Sequence, residues 1–241
     1  MNFKINESEQ KLRGGYYTPL DLAVFLTKWV RNIQPRTILE PSCGDGVFFE
    51  AINKIDGMKG VSVLGLEINE TEAKKAQIRA RGNSANIEVQ TDDFLRWSLN
   101  NIRNNKSFYD AVVGNPPFIR YQYLPKEFQQ RSEEIFNELN LPFTKHTNAW
   151  VPFVLASLAM LRPGGRLAMV VPAEIIHIIH AQSLRTYLGK ECKRLVIVDP
   201  EELWFKDTLQ GAVLLLAEKR SSTDEKAEGV GIYPVKQKEF L

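Results

Sequence analysis

Residues Asn115, Pro116, Pro117 and Phe118 close the apolar run "YDAVVG" with an amide, two prolines and an aromatic ring. Each proline removes a backbone N–H donor. Asn115, standing before a proline, is pushed toward extended backbone. The chain therefore leaves this run in a stiff turn rich in carbonyl acceptors, with a ring at its tip. Such a turn suits a substrate that presents hydrogen-bond donors on a flat, stackable body.

A second set of residues lies upstream. Gly44 and Gly46 follow the run "RTILEPSC", and glycines there let backbone approach a ligand closely. Glu67 ends "VSVLGLE", about 20 residues after the glycine loop, where a carboxylate can hold a ribose diol. Asp93 and Phe94 end "NIEVQTDDF", placed to accept from an amino group and to pack on a flat ring. Taken singly, a Gly-x-Gly is commonly just a loop, and a strand-end carboxylate is commonly just solvated. In register, the three outline a nucleoside site. A dinucleotide fingerprint asks for a third glycine three positions after the second; that position is Phe49. Glu40, in the approach to the same loop, would repel a pyrophosphate and suit a cation. It could equally be an acid that caps the following turn. As a cation holder it points to S-adenosylmethionine rather than to NAD.

These residues need elements that bring them together. "TPLDLAVFLTKWV" has helical apolar spacing, with Thr18 suited to the N-cap and Pro19 to the first helical position. Strands are expected at "RTILE", "VSVLGLE", "NIEVQT", "YDAVVG", "RLAMVVP", "KRLVIVD" and "QGAVLLLAEK", with helical segments between most of them. This alternation predicts an α/β fold, a doubly wound, mostly parallel seven-stranded sheet of Rossmann-like form. Only the loop "PEELWFKDTL" joins the sixth and seventh strands, so the last strand is expected to be antiparallel. The catalytic domain is expected over residues 1–220. Residues 221–241 read as a polar linker, part of "EKRSSTDEKAEG" at 218–229, and the start of a further segment that the chain does not finish.

Composition narrows the class. The 241 residues can bury one substantial core, and a net charge of +2 neither demands nor excludes nucleic acid. No apolar run approaches the roughly 18 residues of a membrane span. Cys43 and Cys192 are too few for a disulfide framework, which suits a cytoplasmic setting. His177 and His180 are three apart with no third ligand nearby, so no metal is expected.

Together "GGYYTP", "LEPSCGDG", "LGLEIN", "TDDF" and "VVGNPPFIRY" resemble the consecutive motifs of DNA adenine-N6 methyltransferases, in the order of the gamma class. The resemblance runs over about residues 14 to 220. It implies the class I S-adenosylmethionine-dependent fold and that cofactor. It also implies that Tyr17 and Thr18 meet its methionine end, that Glu40 takes its ammonium, and that Ser42, Gly44 and Gly46 are cofactor-binding. Glu67 would take the ribose, Ile68 and Phe94 the adenine ring, and Asp93 the adenine amino group. Asn115, Pro116, Pro117 and Phe118 would form the catalytic turn, and Asn115 would also border the cofactor. Phe205, or Trp204 beside it, would stack on the extruded base. "NAW" at Asn148–Trp150 would face the cofactor side of the pocket.

The implied chemistry answers the turn's acceptors. An exocyclic adenine amine is a weak nucleophile because its lone pair is delocalised into the ring. The Asn115 side chain and the Pro116 carbonyl would accept its two hydrogens and free that lone pair. The base must be flipped out of the duplex to be reached. The implied partner is double-stranded DNA, with a recognition domain or subunit outside this chain and a restriction nuclease as a further partner. Lys126, Arg131 and Lys145 are candidate phosphate contacts or simply a solvated helix face. Methylation of protein glutamine or of RNA, cytosine-N4 methylation, and a DNA-binding module without turnover are the competing readings.

Overall fold

A computed structural model describes residues 17–104, 109–177, 181–201 and 211–236. In chain order the elements are α1 (Leu20–Arg31), β1 (Thr37–Glu40), α2 (Val47–Asn53), β2 (Ser62–Glu67), α3 (Glu70–Ala80) and β3 (Asn86–Thr91). Then come α4 (Phe94–Arg103), β4 (Tyr109–Gly114), a 3₁₀ turn (Tyr121–Tyr123), α5 (Lys126–Glu138), α6 (Trp150–Ala159) and β5 (Leu161–Pro172). The chain continues through α7 (Glu174–His177), α8 (Gln182–Glu191), β6 (Cys192–Pro200), β7 (Ala212–Lys219) and β8 (Gly229–Val235).

The strands form one sheet in the order β3-β2-β1-β4-β5-β7-β6-β8. The β1–β2, β1–β4, β2–β3 and β4–β5 pairs are parallel. Strand β7 slots antiparallel between β5 and β6, as the short connection required. All seven expected strands form. The eighth is a correction: the sheet runs past the expected boundary at residue 220 and pairs β8 in parallel with β6. Its side chains carry no buried face, with Val230, Ile232 and Tyr233 at least half exposed, so it lacks the alternation that marks a strand. The polar stretch before it is ordered by ion pairs from Lys193 to Glu225 and from Arg194 to Glu228, each at 3.0 Å.

Both sheet faces are covered, which is why the central strands are apolar throughout. Ile38, Val63, Ala111 and Ala168 face α1 and α2, meeting Leu22, Leu26, Phe48 and Phe49. Leu39, Leu66, Val112 and Leu167 face α4 and α6, meeting Phe94, Leu95, Val154 and Leu158. Helix α6 is buried from Trp150 to Leu158 and forms the spine of that second layer. No helix among the described residues is long and apolar enough to cross a membrane.

The start of α1 differs from expectation. Pro19, rather than Thr18, holds the N-cap position and makes no side-chain cap bond, while Asp21 Oδ1 accepts from Leu22 N–H at 2.8 Å. Thr18 lies outside the helix and is 6% exposed. A threonine one residue too early cannot reach the orphan N–H groups of the first turn.

Chain order reverses between β1 and β4, on either side of which the sheet grows outward. The crevice outside their carboxyl ends is where this architecture binds ligands. Glu40 and Gly114, the last residues of β1 and β4, bring both loops to that crevice.

Candidate active site at the carboxyl ends of β1 and β4

Glu40 is 1% exposed, and its Oε2 has no hydrogen-bond partner among the described residues. Burial pushes its carboxyl well above the usual range, and Asp45 and Glu67 nearby push it further. An unpaired carboxylate cannot stay ionised in such a place without cost. A ligand cation is the group that would satisfy it.

The loop after β1 is lashed to the end of β2. Cys43 N–H donates to the Leu66 carbonyl at 2.9 Å, and Gly44 N–H donates to Glu67 Oε2 at 2.9 Å. The other oxygen of Glu67 accepts from Asn69 N–H at 2.8 Å. Burial holds the Glu67 carboxyl above its usual range, and these two N–H groups offset only part of that rise. An ionised carboxylate has about four acceptor sites, so a ribose diol can still bind beside them. Ile68, next in the chain, is 71% exposed and available to pack on a ring.

The two loop glycines divide their work. Gly44 has φ of +52°, and a Cβ there would meet nothing within 4 Å, so this side of the loop is open to a ligand. Gly46 has φ of +89°, and a Cβ there would lie 2.9 Å from the Ala76 Cα. Gly46 thus lets α3 press against the start of α2. Cys43 is buried, and its thiol is pushed far up by that burial and by Glu40, so it is a packed group and no nucleophile.

Asp93 follows β3, and its neighbour Asp92 is joined to Glu67 by a 3.1 Å backbone bond. Asp93 does two jobs that its position in the sequence does not announce. Its Oδ1 caps α4, accepting from Leu95 N–H at 2.8 Å and Arg96 N–H at 3.2 Å. Its Oδ2 is ion-paired with Arg131 of α5. Arg131, part-buried, is therefore engaged by Asp93 and, at 3.5 Å, by Glu127 on its own helix. Phe94 is 2% exposed and packs on Phe153 at 5.1 Å between ring centroids. It supports the pocket wall from within the core instead of offering an open face. Tyr17 is 49% exposed, with its hydroxyl donating to Glu72 Oε2 at 3.2 Å.

The turn after β4 leaves the sheet beside these groups. Asn115 and Phe118 are half-buried and Pro116 is buried. Phe118 packs against both core layers at once, which anchors the tip of the turn. Ser42 donates from Oγ to the Asn115 carbonyl at 3.1 Å. Downstream, Ala149 N–H donates to the Ile119 carbonyl at 2.9 Å, and Tyr121 N–H donates to Asn148 Oδ1 at 3.0 Å. Asn148 Nδ2 in turn donates to Glu174 Oε2 at 2.8 Å. The Asn148 side chain thus braces the segment from Phe118 to Tyr121. Glu174 is invisible to sequence reasoning. Its partner is 26 residues away, and nothing local marks it.

The structure thus brings Glu40, Ser42, Gly44, Glu67, Asp93 and Asn115 to the carboxyl-end edge of the sheet, linked pairwise by the Ser42–Asn115, Gly44–Glu67 and Asp92–Glu67 contacts. Phe205 and Trp204, expected to stack on a base, lie outside the described residues.

The chain is similar to known proteins. The chain is 27% identical over 226 residues to the Type II methyltransferase M.AccI of Acinetobacter calcoaceticus, covering 92% of this chain and 39% of that protein. It is 23% identical over 214 residues to the Type II methyltransferase M.BanIII of Aneurinibacillus aneurinilyticus, covering 79% of this chain and 36% of that protein. The chain thus spans about four-tenths of the length of these relatives. In fold it is similar to the methyltransferase subunit of a type I restriction-modification system from Streptococcus thermophilus, with a TM-score of 0.70 and 18% identity. That likeness covers 93% of this chain and 48% of the other. Residues 3–238 match the model of N-6 DNA Methylase, and the chain therefore belongs to the N-6 DNA methylase family.

Proposed function

We propose that this chain is the catalytic part of a site-specific DNA methyltransferase that moves a methyl group from S-adenosylmethionine to the exocyclic N6 of a flipped adenine. The observation that carries this reading is Glu40: a buried carboxylate with an oxygen unpartnered among the described residues, close by the strand end that launches the Asn-Pro-Pro-Phe turn. A dinucleotide would bring phosphates to that carboxylate. S-adenosylmethionine would bring an ammonium.

Glu40 would hold that ammonium, Glu67 the ribose hydroxyls and Asp93 the adenine amino group, with Ile68 against the ring. The cofactor supplies an electrophilic methyl group. The chain's own residues prepare its acceptor. The Asn115 amide oxygen and the Pro116 carbonyl accept the two amino hydrogens of the target base, which draws the nitrogen toward a pyramidal form with its lone pair exposed. Pre-placed acceptors of this kind cost no reorganisation during reaction. Phe118 stacks on the base; one base–aromatic stack contributes on the order of 1–3 kcal/mol, comparable with the cost of unstacking it. After transfer the nitrogen carries an extra proton, is acidic, and releases it to water without a strong base. Restriction-modification is the setting that the named relatives favour, with a nuclease and a sequence reader as partners.

Incubating the full polypeptide with methyl-labelled S-adenosylmethionine and plasmid, then digesting to nucleosides, should place the label in N6-methyladenine. Label in N4-methylcytosine, in RNA or in protein would overturn the assignment of substrate.

Glu67→Ala should weaken S-adenosylmethionine binding by about 1–3 kcal/mol, the scale of a hydrogen bond to a charged group. Titration calorimetry gives the answer directly. Unchanged affinity would take Glu67 out of the site.

A further inference from the structure

Pro116 and Pro117 have no N–H to donate, so this turn cannot anchor itself as other turns do. In the peptide links of the Asn115–Pro117 segment, the carbonyls are the backbone groups left to grip. On the reading above, the Pro116 carbonyl is engaged by the substrate, which leaves the Asn115 carbonyl as a point where the protein can grip the turn without touching a reacting atom. That carbonyl accepts from Ser42 Oγ at 3.1 Å.

A second contact supports the same junction. A Cβ at Gly114 would lie 3.3 Å from Cδ of Pro41 and 3.9 Å from Cγ of Glu40. The prolyl ring cannot swing aside. Glycine at 114 therefore lets the end of β4 settle against the residues just before Ser42. The loop that carries Ser42 is itself fastened to β2 through Cys43 and Gly44.

We infer that Ser42 is a positioning residue for the catalytic turn and not a cofactor ligand. Its hydroxyl fixes the plane of the Asn115–Pro116 peptide. That plane sets where the Asn115 side chain starts and, through the rigid proline, where the Pro116 carbonyl points. One loop thus references both partners of the reaction, since its Gly44 end meets Glu67 at the cofactor side and its Ser42 end holds the acceptor side. This inference rests on the proposed methyl transfer only for the identity of the substrate.

The test compares Ser42→Ala and Ser42→Thr with wild type in the full polypeptide. It reads S-adenosylmethionine affinity by calorimetry, single-turnover transfer to plasmid, and amide hydrogen exchange at Phe118 to Arg120. Ser42→Ala should keep its cofactor affinity and lose transfer about three- to ten-fold, the scale of one net hydrogen bond. kcat and kcat/KM should fall together, because the lost interaction acts on the transition state. Exchange at Phe118 to Arg120 should quicken, and Ser42→Thr, which keeps a hydroxyl, should restore both. Affinity falling in step with transfer would make Ser42 a cofactor ligand and overturn the inference. So would unchanged transfer with unchanged exchange. If wild type labels no DNA, the substrate reading fails by itself. Exchange and affinity then decide Ser42: quicker exchange at unchanged affinity supports the positioning role, and unchanged exchange overturns it.

Discussion

Replacing Asn115 with alanine is expected to cut methyl transfer about 10²–10³-fold, the scale for removing one pre-placed polar group from a reacting centre. Cofactor affinity should stay nearly intact. The backbone of the turn has grip points of its own. Its grip points are the Asn115 carbonyl on Ser42, the Ile119 carbonyl on Ala149 and the Tyr121 N–H on Asn148. Alanine removes the amide acceptor and leaves those three in place. What is lost acts on the attacking nitrogen, so kcat should fall without a matching rise in KM for either substrate. Single-turnover transfer under saturating cofactor, set beside a calorimetric titration, separates the two quantities. Equal loss of binding and turnover would mean that the turn is only scaffolding.

Glu40→Gln should change ligand binding and folding stability in opposite directions. The side chain keeps its shape and loses its charge. With S-adenosylmethionine, losing the buried partner of an ammonium should weaken binding by about 2–5 kcal/mol. Without ligand, the same change should raise Tm at neutral pH, because the wild-type carboxyl must either hold a proton or bear an unpaired buried charge.

The pH dependence follows from the raised pKa, whose first cause is burial. The folded protein holds this proton to higher pH than the unfolded chain does. Glu40 therefore contributes its full share of stability below about pH 4.5 and loses it as pH rises through the raised folded value. Binding of a cation has the opposite slope. It needs the ionised form, so affinity should climb with pH across the same window, with a proton released on binding. Calorimetry in buffers of different ionisation enthalpy counts that proton. The glutamine variant should release none and should show a flat profile there. A wild type whose affinity ignores pH, together with a variant that binds equally well, would sink the assignment of Glu40.

The order of chemistry along the crevice is legible in the amino-acid sequence itself. Runs such as "SVLGLE" and "YDAVVG", separated by helical spacing, demand parallel strands, and parallel strands with right-handed crossovers put every strand-to-helix loop at one end of the sheet. Glu40, Gly44, Glu67, Asp93 and Asn115 each follow or end a strand, so chain order alone brings them together. The antiparallel β7 is readable for a similar reason, because a connection of about ten residues is too short for a helical crossover.

The tertiary structure alone decided how those residues are held. Ser42 meets Asn115 across 73 residues, Arg131 meets Asp93 across 38, and Asn148 meets Glu174 across 26. No local pattern encodes such pairs, since a serine that grips a distant carbonyl looks the same in sequence as one that faces a ligand. Gly46 likewise reads as an open ligand loop until Ala76 is found pressed against it. Strand β8 is hidden for a different reason. It joins the sheet through backbone bonds at an exposed edge, and backbone bonding leaves no signature in side-chain type. Sequence periodicity reports which faces are buried. Which particular groups then meet across that burial depends on register and packing, and those exist only once the whole sheet has formed.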